Sequence, residues 1–321
     1  VILSNMEFVQ FHPTSLENSN ILISESARGE GGYLLDEFEN RFIDELKPRD
    51  EVSRAIYEKI EKNQKVYLDL RHLGIDKIKE LMPQERRLAY DYSNIKIEEQ
   101  LLPISPSSHY SMGGIKTDIN ARTNIRNLFA CGECAEASIH GANRLGGNSL
   151  LEIVTFGKIA GINASNDEKN IGEINTSTKY AKEDEENINN IYNYSTKINF
   201  YTKKDDIGNL LFNNLGLFRN EKKISALIKT IEELNLDIKN MGIVDKSKTY
   251  NKNLVEFLEF RNILNVALLA SISALNRKES RGSHFRLDYP SEMQKYEKNT
   301  IIKKVDDKIV VKFEEIVWKL I

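Results

Sequence analysis

His140-Gly141-Ala142-Asn143-Arg144-Leu145-Gly146-Gly147-Asn148-Ser149-Leu150-Leu151-Glu152 is the stretch whose reading decides the fold. It joins a cation, a glycine turn and a helix start. Glycines let a backbone approach a neighbour closely. Asn148 reads as an N-cap and Ser149 to Glu152 as the first helical turn, running on through Ile153, Val154 and Phe156. Free N–H groups and a partial positive charge gather at a helix N-terminus. An arginine aimed at the same place suits an anion. The block therefore reads as a meeting point for an electron-rich cofactor edge and an anionic substrate.

The surrounding chain has 321 residues, enough for two or more domains. It is 40% hydrophobic and 29% charged, an ordinary globular composition. A net charge of −3 provides no global basic field for nucleic acid. No run of about 20 apolar residues suits a membrane span. The first residues are not a basic region followed by an apolar stretch, so no signal peptide is read there. Two cysteines imply no disulfide framework and fit a reducing compartment. They form Cys131-Gly132-Glu133-Cys134, but no second pair or nearby histidine spacing supports a metal or iron–sulfur site.

Along the chain, Phe8 to Phe11, Ile21 to Ile23 and Val66 to Leu70 read as strands. Val1-Ile2-Leu3 reads as the middle of a buried strand. Arg49 opens a helix running through Tyr57. Leu128 to Cys131 is a short apolar strand ending in Gly132-Glu133, which would put a carboxylate at the C-terminal edge of a sheet. Residues 166–200 are rich in Asn, Lys, Glu and Asp and read as a solvated helix or linker. Ile224, Leu227, Ile228, Ile231 and Leu234, and then Leu254 to Leu275, keep helical spacing and read as helix-on-helix core. Around Asp306-Asp307, two apolar runs over residues 300–313 read as a hairpin.

Several stretches carry residue types suited to chemistry. Met6-Glu7-Phe8-Val9-Gln10-Phe11-His12-Pro13-Thr14 ends a strand at His12, which is expected at a loop rim. Ser24-Glu25-Ser26-Ala27-Arg28 puts a carboxylate and a guanidinium three apart, close enough to touch on a helical turn. Left on a surface, such a pair is worth little. Lys47-Pro48-Arg49 places an arginine at a helix start, and Ser108-His109-Tyr110 holds another histidine. Arg277 to His284 is a further charged cluster.

Together these stretches closely resemble the flavoprotein subunit of succinate dehydrogenase and fumarate reductase. L-aspartate oxidase is the nearest relative within that superfamily. The resemblance covers most of residues 1–165 and returns around 276–290. It implies an α/β fold: the second part of a doubly wound FAD-binding domain, an α+β capping domain, a helical domain and a small C-terminal module. Residues 1–9 and 109–165 would belong to the FAD-binding domain and 10–108 to the cap. Residues 166–275 would be helical, and 276–321 would form the C-terminal module.

The same resemblance assigns roles. Arg49 becomes the catalytic proton donor, refilled by a relay of Arg28 and Glu25. His12, Ser24, His109 and Arg144 become substrate ligands, with Ser24 standing where the family commonly has threonine. Glu133 would accept hydrogen bonds from the FAD ribityl chain, and Asn148, Ser149 and Leu150 would face the isoalloxazine. The Arg277 to His284 cluster would brace the flavin site and a partner interface. The segment between Arg28 and Arg49 is shorter than is common in the family.

The implied reaction interconverts fumarate and succinate by hydride transfer to or from FAD N5. The implied partners are an iron–sulfur subunit and membrane quinone-binding subunits, which would place the chain peripherally on the cytoplasmic side of the inner membrane. Three alternatives stay open: L-aspartate oxidase, a soluble single-chain fumarate reductase, and an inactive fragment. The Leu145-Gly146-Gly147 segment and the hairpin near residues 300–313 favour the respiratory reading over the oxidase. No Gly-x-Gly-x-x-Gly follows a strand anywhere, although FAD pyrophosphate needs that turn. The expectation is therefore a C-terminal portion of a longer flavoprotein.

Overall fold

The computed structural model describes residues 1–168, 178–306 and 308–316. Asp307 of the expected hairpin turn, residues 169–177 of the polar stretch and residues 317–321 lie outside the described residues. In chain order the elements begin with β1 (Leu3–Ser4), β2 (Val9–Leu16), α1 (Ser26–Gly29), β3 (Tyr33–Asp36), α2 (Arg49–Glu61) and β4 (Val66–Asp69). Next come α3 (Ile75–Leu81), α4 (Pro83–Ser93), β5 (Leu102–Ser111), β6 (Gly114–Lys116), β7 (Ala135–Glu136) and α5 (Asn148–Glu168). The chain continues through α6 (Thr178–Ile191), α7 (Phe200–Leu215), α8 (Glu221–Leu236), α9 (Lys252–Asn276), β8 (Lys298–Val305) and β9 (Lys308–Glu315).

The strands form two sheets, ordered β7-β6-β1-β8-β9 and β2-β5-β4-β3. In the first, only β6 and β7 pair in parallel. The C-terminal hairpin joins this sheet through β1, with Leu3 opposite Ile302. In the second, β2 and β5 form the longest pairing, and their ladder breaks twice. At the first break Tyr110 faces Gln10 while Ser108 faces Phe11, which leaves His109 as the extra residue of a bulge. The second break falls at Pro13-Thr14 opposite Pro106. Proline has no N–H to give a ladder, so strands bulge there. His12 is thus not at a loop rim. It lies inside β2, buried, because the strand resumes beyond Pro13.

Two other strand expectations fail. Ile21 to Ile23 forms no strand; only Leu22 touches Ser15 through an isolated bridge. Leu128 to Cys131 is likewise reduced to a bridge between Phe129 and Arg122. A turn at Asn127, whose φ is +63°, folds this stretch back on itself rather than into a sheet. Glu133 therefore precedes β7 instead of ending a strand.

The apolar spacing of α8 and α9 is spent as expected. Ile224, Leu227, Ile231, Phe257, Phe260 and Leu264 meet in one core, joined by Met6 from the turn after β1 and Ile302 from β8. Each buried Phe contributes roughly 2–3 kcal/mol. By length and composition α9 could cross a membrane; here it packs against α7 and α8. A second core, with Leu34, Val52, Ile56 and Leu68, lies between the second sheet and α2 to α4.

A buried ionic cluster joins these parts. Arg277 donates from Nε to Glu7 at 2.5 Å and from Nη1 to Glu279 at 2.9 Å. Its Nη2 reaches Thr300 Oγ1 and the Lys298 carbonyl. Arg219 donates to the Glu7 carbonyl and to His284 Nδ1, both at 2.7 Å. Burial and then the Arg219 charge hold His284 well below its ordinary pKa, so it sits here as a neutral acceptor. Removing one partner from a buried pair strands the other charge. Arg277→Met is therefore expected to cost about 3–5 kcal/mol in urea denaturation. The exposed Arg87–Asp91 pair is expected to yield less than about 1 kcal/mol on Arg87→Ala. Equal costs would contradict a role for the buried cluster in joining these parts.

Candidate active site

β2 and β5 carry His12 and His109 to the same place, with ring centroids 5.3 Å apart, edge to face. The Thr14 backbone N–H donates to His12 Nδ1 at 3.3 Å, which leaves Nε2 to carry the proton. Burial, then Arg49, His109 and Arg28, push the His12 pKa down to about 3. Burial, then Arg144 and Arg49, lower that of His109. Both imidazoles are neutral donors near pH 7, a state suited to a carboxylate ligand.

Arg49 opens α2 directly after Pro48, whose fixed φ suits a helix start. A cation is unfavourable at a helix N-terminus, and Glu25 offsets it. Arg49 Nε donates to Glu25 Oε2 at 2.9 Å, and Nη2 contacts the same oxygen. Arg28 lies 3.8 Å from the other oxygen, across the short helix α1. The Arg28 side chain is fully buried, its Nη1 donates to the Glu45 carbonyl, and burial lowers its pKa. Glu25 is thus hydrogen-bonded to Arg49 and within ion-pair distance of Arg28, and the Arg28 side chain is buried rather than part of an exposed surface pair.

His12, His109, Glu25 and Arg49 line a cavity of about 510 Å³ with Ser24, Leu22, Gln84, Glu85, Leu88, Gly146 and Gly147, and Arg28 lies outside its walls. Ser24 Oγ accepts from the N–H and hydroxyl of Ser26, at 3.2 and 2.9 Å, and fixes the start of α1. Gly146 lies close to this pair: a Cβ there would stand 3.0 Å from Glu25 Oε2 and 3.3 Å from Arg49 Nη2, a tight fit. Arg144 does not line this cavity. It lies beneath the same loop, buried, with its guanidinium 4.4 Å from the Tyr110 ring centroid.

Sequence reasoning missed Gln10. Its amide donates to the Arg144 carbonyl at 2.6 Å and to Asn143 Oδ1 at 2.8 Å, and accepts from Arg49 Nη1 at 3.2 Å. Asn143 in turn donates to Asp50 at 2.7 Å. A period-two reading of Gln10, His12 and Thr14 would have placed all three on one face.

A surface with groups suited to a flavin adjoins the cavity. Glu133 is exposed, and its Oε1 accepts from the Ser111 N–H at 3.0 Å. α5 begins at Asn148 itself, one residue earlier than its reading as a cap. Gly147 before it takes φ +81°. Leu145, Leu150, Leu151 and Val154 leave their side chains exposed. Helix-terminal N–H groups, an apolar plane and a hydroxyl-accepting carboxylate fit a flavin with its ribityl chain.

Comparison with known proteins agrees with this chemistry. A family model described as "FAD binding domain" matches residues 1–150, and one described as "Fumarate reductase flavoprotein C-term" matches residues 204–321. The fumarate reductase flavoprotein subunit of Escherichia coli is 37% identical over 316 residues, covering 90% of this chain and 52% of that protein. This chain belongs to the family of fumarate reductase and succinate dehydrogenase flavoprotein subunits. The 8-methylmenaquinol:fumarate reductase flavoprotein subunit of Wolinella succinogenes is 38% identical over 90% of this chain and 50% of its own length. The chain thus spans about half the length of the curated relatives it matches. A solved E. coli quinol fumarate reductase FrdA structure superposes on all of this chain and 60% of its own, with a TM-score of 0.93 and 34% identity. The α/β fold and FAD as cofactor follow from these matches.

The His12 environment makes a testable statement. Its pKa falls from the ordinary 6.5 to about 3, so folding favours the neutral ring. The stability it contributes is full above pH 6.5 and is lost as pH falls from there toward 3. His12→Gln is expected to flatten the decline in stability across that window. NMR titration of the wild-type imidazole is expected to show no protonation between pH 8 and 5; a midpoint near 6.5 would contradict the burial argument.

Proposed function

We propose that the protein interconverts fumarate and succinate, with Arg49 as the proton donor and acceptor. The carrying observation is the Arg28–Glu25–Arg49 row, which ends at a cavity lined by Arg49 and two neutral imidazoles. Free arginine is a poor acid, with a pKa above 12. It serves when substrate is held tightly and the proton is replaced at once. Burial has already weakened the hold of Arg28 on its proton, which suits the inner end of such a relay.

FAD, when bound, supplies hydride transfer to or from its N5. The chain's own residues do the rest. Neutral His12 and His109 and the Ser24 hydroxyl, which line the cavity, bind and polarise the two carboxylates of a four-carbon diacid, and Arg144, just outside its walls beneath the same loop, supplies a further cation to one of them. Arg49 gives a proton to one alkene carbon in the reductive direction and regains it through Glu25 and Arg28. Gln10 holds the Arg49 guanidinium against the loop that carries Arg144. Glu133 would hold the ribityl chain of a bound FAD, and Asn148, Ser149 and Leu150 would face its isoalloxazine.

In this reading residues 1–9 and 109–165 serve the flavin, 10–108 cap the substrate, 166–275 form the helical part and 276–321 the C-terminal module. Closure of the cap would exclude water and align the donors. Electrons pass to or from an iron–sulfur subunit and membrane quinone-binding subunits, with the chain peripheral on the cytoplasmic side of the inner membrane. L-aspartate oxidase is the less favoured activity, since the relatives reported above are fumarate reductases.

Arg49→Lys in the flavin-loaded full-length protein is expected to cut fumarate reduction by at least about a thousandfold, the scale of lost general acid catalysis. The flavin absorption spectrum is expected to stay unchanged. Near-normal turnover in that variant would remove Arg49 from the role.

A further inference from the structure

Tyr110 on β5, His140 in the following loop and Glu152 in the first turns of α5 form a cluster that the mechanism above leaves unused. The Tyr110 hydroxyl donates to Glu152 Oε2 at 2.8 Å. The same oxygen lies 2.8 Å from His140 Nε2, and the Tyr110 and His140 rings meet edge to face with centroids 5.5 Å apart. The phenol ring is therefore fixed at its hydroxyl and along its edge. Burial pushes the Glu152 pKa up, but the hydrogen bonds from His140 and Tyr110 outweigh it and keep the group ionised. Burial and the Glu152 hydrogen bond raise that of Tyr110, so it stays a phenol.

The ring face is occupied by Arg144, whose Cζ stands 4.4 Å from the centroid. The other contacts of Arg144 are local and long: Nη1 to the Leu145 carbonyl at 3.2 Å and to Ser149 Oγ at 3.5 Å. Its Nε is buried without a hydrogen-bond partner. Among the described residues no carboxylate forms an ion pair with it; Arg49 repels it, and Tyr110, Glu133 and Glu25 attract it. A buried cation in that position needs a compensating surface. An electron-rich ring provides one, and a hydrogen bond from the phenol to a carboxylate strengthens it by polarising the ring.

We propose that Tyr110, oriented by Glu152 and His140, is a positioning residue that holds the Arg144 guanidinium for a substrate carboxylate and so sets the affinity for dicarboxylates. The inference rests on the reading of Arg144 as a substrate ligand. Tyr110 touches neither Arg49 nor Glu25 and takes no part in proton delivery. Its loss therefore falls on KM and on ligand binding more than on kcat.

The test uses the flavin-loaded full-length protein and malonate, an unreactive dicarboxylate, read by the perturbation of flavin absorbance. Tyr110→Leu, which keeps bulk and removes the π face, is expected to weaken malonate about tenfold, within the range of a desolvated cation–π contact. Tyr110→Phe, which keeps the face, is expected to restore most of the affinity. In an Arg144→Gln background, Tyr110→Leu is expected to add little, because its target is gone. If Tyr110→Leu fails to load flavin, Glu152→Gln decides, with about threefold weakening expected and wild-type affinity overturning the proposal. Unchanged malonate binding in a flavin-loaded Tyr110→Leu protein, or an undiminished effect in the Arg144→Gln background, overturns this inference alone. Failure of the wild-type protein to bind malonate overturns both it and the reading of the site.

Discussion

Glu25 is shared by two arginines, and the site is arranged around that carboxylate. Arg49 binds it from the N-terminus of α2, and Arg28 faces it from inside the short helix α1. Without it, two guanidinium groups would stand together, and Arg49 would also oppose the positive end of its own helix. Neighbouring features follow from the same excess of positive charge. His12 and His109 stay neutral because burial and the nearby arginines both disfavour a further cation. Gly146 lets the loop lie close against the Glu25–Arg49 pair. The cavity offers fixed donors, Arg49 and two neutral imidazoles, rather than mobile solvent.

That arrangement needs a rigid frame, which two strands and one ionic cluster provide. β2 and β5 bring the histidines together, and the bulge at His109 turns that side chain out of the ladder's alternation. Glu7, just before β2, is locked by Arg277, while Arg219 holds its carbonyl. Arg219 and Arg277 in turn connect to the helical core and the C-terminal hairpin. The placement of His12 thus depends on residues more than 200 positions away in the chain.

Much of this was legible in the sequence for definite reasons. Helical spacing of apolar residues gave α8 and α9, because a core face repeats every 3.6 residues whatever its neighbours. The glycine turn and polar start of α5 were readable because turn and cap chemistry is local. Glu25 and Arg28 were readable as a pair because three residues make one helical turn. The failures are equally physical. Leu128 to Cys131 has a strand's composition, but a strand exists only where another pairs with it, and here the segment folds back on Arg122. His12 before Pro13 reads as a strand end, yet a bulge carries the strand past the proline.

By itself the sequence determined the elements with strong local periodicity, the inventory of arginines, histidines and carboxylates, and the resemblance that named a flavin chemistry. Only the tertiary structure decided which of those groups face one another and in what protonation state. Gln10 bridging Arg49 to the Arg144 loop, Tyr110 beneath Arg144, and the burial that neutralises His12 all join residues distant in the chain. A hydrogen bond, a cation–π contact or a shifted pKa depends on separation in space and on exclusion of water. Neither is written in the order of residues until the chain has closed on itself.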